Sequence, residues 1–309
     1  MTRRPGFALL AVLWVIAAAS ALSLGASLVA GRAIGTAQNR ANITRATWRA
    51  EGCLDVARAV ISETLREPET ARTGIRHTWS TLDLAVQESR VVSEAGCDLR
   101  IVPAGARMDV NSADGEMLRA LFAAIGIPGP RSDSLADALL DWRDADDEPR
   151  ANGAERDWYV LSGADIPRNA PLASMLELSR VRGYAAVAPL DSVLSVEPGR
   201  ITIERAPLSV IAALPGFGEE ALSRAAEMRH GNAPAGDLIS FGGTLSPAAR
   251  ASLHARYADL ARITVGEPDA WIVTSTATLG SPGVAVAMEV RLARAGDRAA
   301  IVRRRTWIE

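Results

Sequence analysis

The hydrophobic pattern opens with a run before it settles into a period. From Phe7 to Ala30 no ionisable side chain occurs, and at about 1.5 Å per residue such a helix crosses a hydrocarbon core of roughly 30 Å. Charged residues return at Arg32. No proline follows until Pro68, and Ala50, Leu54, Ala57, Ile61 and Leu65 recur at spacings of three and four, which makes one apolar stripe on a helix. As one piece, Phe7 to Leu65 is a spine of roughly 90 Å. Residues 97–110 alternate apolar and polar on either side of a Pro-Ala-Gly turn and predict a hairpin. Helical periods then take over, in Met117, Leu118, Leu121, Phe122 and Ile125, and again in Leu135, Ala138, Leu139 and Trp142. After residue 262 alternation returns through Trp271-Ile272-Val273, the series Val284, Val286, Met288, Val290 and Leu292, and Ile301-Val302 before Trp307.

These patterns predict an α+β fold: a long amino-terminal helix packed on an antiparallel sheet, with a large all-α domain inserted between strands. The expected parts are residues 7–30 as the transmembrane half of the spine, 31–66 as its amphipathic half, 67–110 with 263–309 as the αβ domain, and 111–262 as the insert. The insert repeats itself. Asn111-Ser112-Ala113 leads to Leu118, Leu121 and Gly126; Arg168-Asn169-Ala170 to Leu172, Leu176 and Gly183; Arg205-Ala206 to Ile211, Leu214 and Gly216. Each reads as a capping residue, a short helix and a glycine stop. Leu214-Pro215-Gly216-Phe217-Gly218 has the turn of a helix-hairpin-helix module, so helix-hairpin-helix or SAM-like repeats are expected there.

Charge narrows the function classes. All 34 basic residues are Arg against 36 acidic ones, a net charge of -2, so no global field draws nucleic acid and no lysine serves Schiff-base or P-loop chemistry. Helix-hairpin-helix turns hold DNA by aiming backbone N–H groups at a phosphate. Glu219 and Glu220 stand where that phosphate would sit, so helix packing is the expected role and no nucleic acid is expected. His77, His230 and His254 are scattered away from zinc-ligand spacing, and no nucleophile-elbow, Walker or dinucleotide glycine pattern occurs. The chain is not expected to be an enzyme.

The segment Asp141-Trp142-Arg143-Asp144-Ala145-Asp146-Asp147-Glu148-Pro149-Arg150 continues through Asn152-Gly153 to Glu155. Asp144, Asp146, Asp147 and Glu155, with Asn152 as a possible addition, are hard oxygen ligands of the kind that suits a structural Ca²⁺. The spacing is not that of an EF-hand. The other reading is a solvated capping loop neutralised by Arg143, Arg150 and Arg156. Cys53 and Cys97 form an even pair that either closes a disulfide between spine and sheet or sits as two core residues.

Arg3 and Arg4 precede the apolar run, which the positive-inside rule reads as a cytoplasmic amino terminus with the bulk exported. A secretory signal cut at Ala19-Ser20-Ala21, or a plain signal anchor, is the common fate of such a run. Pro5-Gly6-Phe7 at its head instead resembles the prepilin signal, with residues 1–6 as leader, cleavage after Gly6 and methylation of Phe7. Together with Met108-Asp109-Val110-Asn111-Ser112-Ala113, the Leu140–Glu155 motif, Tyr159, Arg168-Asn169-Ala170-Pro171-Leu172 and Leu208–Gly216, the chain resembles the K-type minor pseudopilins of type II secretion systems. That resemblance implies a pseudopilin αβ domain with a helical insert, calcium in the insert, and prepilin peptidase acting during maturation. It also implies a single pass in the bacterial inner membrane with a periplasmic bulk, then a place at the pseudopilus tip with minor pseudopilins I and J. Counted from Phe7 the fifth residue is Ala11, where most pilins carry Glu, and this suits a subunit with nothing ahead of it. The alternative is a membrane-anchored helix-hairpin-helix DNA receptor.

Overall fold

The computed structural model describes residues 6–66, 79–187, 189–230, 236–281, 283–296 and 298–308. Residues 1–5 of the expected leader and 67–78 of the expected αβ domain lie outside the described residues.

The spine forms as one helix, α1, Gly6–Arg66. Its first half is exposed along its described length, while Ala46, Ala50, Leu54, Ala57 and Ile61 on the second half are buried. Three of these five are alanines, which lets the helix axis come close to the sheet beneath. Its partners there are Trp271, Val273, Val286, Met288, Val290 and Leu292. Leu65, at the end of the stripe, is partly buried on the same core.

After α1 come α2 (Leu82–Gln87) and α3 (Arg90–Glu94), then β1 (Asp98–Pro103). Cys97 is joined to Cys53 in a disulfide, with Cα atoms 5.5 Å apart, so the strand enters the sheet tied to the spine. The sheet is completed by β6 (Ala270–Leu279), β7 (Val284–Ala295) and β8 (Arg298–Ile308) in the order β1-β6-β7-β8. All three pairings are antiparallel.

The hairpin expected over 97–110 does not form. β1 pairs with β6 instead, Ile101 opposite Val273, and β2 (Met108–Asp109) pairs in parallel with β3 (Leu194–Ser195). The turn between β1 and β2 takes the chain out of the sheet. Gly105 lies at φ +85, and a Cβ there would collide with the carbonyl oxygen of Arg200. That backbone approach replaces a hairpin with a crossing between segments remote in sequence.

Between β1 and β6 a second core is built around Phe122, Trp142, Tyr159, Ile211 and Phe241. Its elements are α4 (Gly115–Ala124), α5 (Gly129–Arg143), α6 (Arg156–Ser162), β4 (Ile201–Thr202), α7 (Leu208–Ala212), α8 (Glu219–His230), α9 (Leu238–Gly243), α10 (Pro247–Ala255), α11 (Tyr257–Ile263) and β5 (Thr264–Val265). The three repeats differ in detail from their expected form. The cap of α4 is Asp114, whose carboxylate accepts from Met117 N–H at 2.8 Å. Asn111 instead ties the first repeat to the second: its Nδ2 donates to the Leu172 carbonyl and its Oδ1 accepts from Leu172 N–H. The second repeat is a 3-10 helix, Met175–Arg180, and α7 of the third begins after Pro207 with no side-chain cap. The glycine stops do recur, because Gly126, Gly183 and Gly216 all adopt positive φ.

Candidate functional site

The acidic segment sits where α5 ends and α6 begins. Asp141 lies in the last turn of α5 and is fully buried. Three residues on, and so on the same helical face, Asp144 caps that helix. Glu155 is the residue before α6 and is 4 % exposed. One carboxylate oxygen from each of Asp141, Asp144 and Glu155 lies within 4.8 Å of the others.

Several side chains brace this arrangement. Trp142 Nε1 donates to Glu177 Oε1 at 3.1 Å, and Arg143 donates to the carbonyls of Val110 and Ala113. Trp142 meets Tyr159 edge to face at 5.2 Å, and the Tyr159 hydroxyl accepts from Arg182 N–H. Arg182 lies over the Trp158 ring and donates to the Gly153 carbonyl. Gly153 is required by contact, since a Cβ there would collide with the Asp141 carboxylate.

The negative charge is only partly answered. Arg150 Nη1 donates to Asp141 Oδ1 at 2.6 Å and to Asp144 Oδ2 at 2.5 Å. Both oxygens of Glu155, and Oδ1 of Asp144, are buried without a hydrogen-bond donor. Burial, then repulsion from Asp141, Asp144, Asp147 and Asp146, pushes the Glu155 carboxyl up to about 7. Burial also raises Asp141, with Arg150 opposing. Carboxylate oxygens converging from three residues, of which both of Glu155 and Oδ1 of Asp144 are buried without a donor, fit a hard divalent cation, whose bonds to oxygen are about 2.3–2.6 Å for calcium.

The expected ligands therefore separate. Asp144 and Glu155 come together, but with Asp141. Asp146 Oδ1 accepts from Glu148 N–H at 3.0 Å. Asp147 Oδ1 accepts from Asn169 Nδ2 at 2.9 Å, and Asn169 holds positive φ. Asn152 N–H and Nδ2 both donate to Asp137 Oδ2. The signal for Asp141 was its spacing of three from Asp144 within a helix.

Elsewhere, the Leu214–Gly218 turn joins α7 to α8, with Phe217 N–H donating to the Leu214 carbonyl. Glu220, in the first turn of α8, accepts from Ser246 N–H and Oγ, each at 2.6 Å, and so holds the start of α10.

Residues 97–196 match the family described as type II secretion system (T2SS), protein K. Three relatives share that description. The protein from Dickeya chrysanthemi is 33% identical over 93 residues, 28% of this chain and 25% of its own length. The one from Pectobacterium carotovorum subsp. carotovorum is 24% identical over 232 residues, 67% of this chain and 70% of its own. That of Pseudomonas aeruginosa is 25% identical over 225 residues, 68% of this chain and 67% of its own. The match thus spans a quarter of the first relative and about two thirds of the other two. The fold is shared with a chain in the crystal structure of the GspK-GspI-GspJ complex from enterotoxigenic Escherichia coli, at a TM-score of 0.59 and 14% identity over 87% of this chain and 98% of that one. On sequence, the chain is thus similar to type II secretion system protein K, with the family match lying in residues 97–196.

Proposed function

We propose that this protein is a non-catalytic minor pseudopilin that starts and caps the pseudopilus of a type II secretion system, with I- and J-type minor pseudopilins behind it, and so supports protein export across the outer membrane. The observation that carries this is α1, a single 61-residue helix with an exposed apolar half and a half docked on the sheet. It is long and apolar enough to cross a membrane. An exposed apolar rod needs a lipid or protein surround, and a filament core supplies one after the bilayer has supplied the other. The fold shared with a chain of the GspK-GspI-GspJ complex supports the choice of partners.

Within this reading the amino terminus stays cytoplasmic, the bulk is periplasmic, prepilin peptidase cuts after Gly6, and Phe7 becomes the methylated first residue. Ala11 then leaves the subunit without the carboxylate that would call for a subunit ahead of it, because an unpaired charge in an apolar segment is costly. Calcium would be held by Asp141, Asp144 and Glu155, with Asp146 and Asp147 adding negative potential. Its contribution is to neutralise Glu155 and so order the joint between α5 and α6.

The test is intact-mass and amino-terminal analysis of the membrane form. The expected product starts at N-methylated Phe7, and Gly6→Val leaves the precursor uncut. A product starting near Leu22 overturns the maturation step, and export that survives replacement of residues 7–30 by an unrelated anchor overturns the filament role.

A further inference from the structure

Between its apolar run and the folded body, α1 has a bare neck. Residues 31–41 are all exposed. The spine first touches the sheet core at Ile43, about 20 Å beyond Ala30 at about 1.5 Å per residue. The neck carries Arg32 and Arg40 and no acidic residue, because the first carboxylate of the sequence is Glu51. Glu51 is already met by Arg304 at 2.9 Å, and among the described residues neither Arg32 nor Arg40 meets a carboxylate. Arg49, closer to the body, is held within the chain, its Nη2 donating to the Gly96 carbonyl.

Arg32, Thr36 and Arg40 follow one another at spacings of four and so share one side of the helix. Thr36 Oγ1 donates to the Arg32 carbonyl at 2.9 Å, so what this side offers outward is two guanidinium groups. Their place along the helix says what they meet. Arg32 stands about 3 Å past the apolar run, inside the headgroup layer that flanks a hydrocarbon core of about 30 Å. The run itself, about 36 Å long, exceeds that core, and tilt takes up such an excess and lowers Arg40 toward the same layer. A guanidinium on its long stem reaches back to the interface and forks onto a phosphate. Arg45, about 22 Å past Ala30, stands more than a screening length of about 10 Å away. We propose that the neck of α1 binds the phosphates of anionic phospholipids through Arg32 and Arg40, seating the folded body close to the bilayer. This rests on the reading of α1 as membrane-spanning and not on a place in a filament.

The experiment places the full chain in phosphatidylcholine bilayers and compares spin-labelled phosphatidylglycerol with spin-labelled phosphatidylcholine. Arg3→Gln and Arg4→Gln are present throughout, to silence the arginines at the other end of the apolar run. Lipid held against a protein gives a slowed spectrum, so the slowed fraction reports spanning and the ratio between the two labels reports selectivity. The expected result is slowed lipid of both kinds, with a preference of at least about threefold for phosphatidylglycerol that fades in molar salt. Adding Arg32→Gln and Arg40→Gln brings the ratio close to one, whereas adding Arg45→Gln leaves it unchanged. Equal slowing of both labels overturns the proposal and leaves the arginines to carboxylates of a neighbouring chain. A preference that survives the neck substitutions, or that is lost with Arg45→Gln, overturns it too. No slowed lipid of either kind overturns the spanning reading as well.

Discussion

Glu197, in the segment joining β3 to β4, meets Arg303 of the last strand across the seam between insert and sheet. It also reaches Arg305 at 3.2 Å and Arg291 at 4.0 Å. In the β7–β8 register Arg291 stands directly opposite Arg303, a like-charge pair that the sheet alone would disfavour. Glu197 is their shared counter-ion, so the insert completes the electrostatics of the sheet.

Glu197→Gln should therefore cost about 2 kcal/mol. Breaking a fully buried pair costs ~3–5 kcal/mol, and the discount reflects guanidinium groups that keep contact with water. Hydrogen exchange of β8 should accelerate relative to β6. Unchanged exchange in β8 would show that insert and sheet are not coupled through this residue.

Calcium should raise the melting temperature, and more at pH 8 than at pH 5.5. Glu155 sits at about 7 when folded, against 4.5 ordinarily, so the folded chain binds more protons than the unfolded one between those values. The metal-free protein then loses stability as pH rises through that window, while the calcium-bound form gains from the ionised carboxylate. At a hundredfold excess over Kd the gain is about 2.7 kcal/mol. Glu155→Gln should stabilise the chelated protein at pH 8 and abolish the calcium response. Identical melts with millimolar calcium and with chelator would sink the site.

Gly105→Ala should destabilise by about 2–3 kcal/mol, because the alanine would have to hold φ +85 against the Arg200 carbonyl. Neither neighbour is the far end of a flexible side chain. Wild-type stability on chemical denaturation would mean that the crossing out of the sheet relaxes freely.

Much of the architecture is readable from period alone. The stripe Ala50, Leu54, Ala57 and Ile61 and the α5 positions Leu135, Ala138, Leu139 and Trp142 are all buried, because helical faces repeat within a few residues of themselves. Strand partners do not. Alternation over 97–110 marks β1 as a strand, yet nothing local says that Ile101 faces Val273. The site divides in the same way: Asp144 and Glu155 stand out as acidic residues in a loop, while Asp141 reads as part of a helix until the fold turns it toward them. Glu197 carries no local signal at all, since its role exists only once Arg291 and Arg303 are opposite one another.

A place at one end of a filament is decided by where labelled protein sits on isolated pseudopili. One label per filament, at a single end, is the predicted result. Label at regular intervals along the shaft would contradict the account.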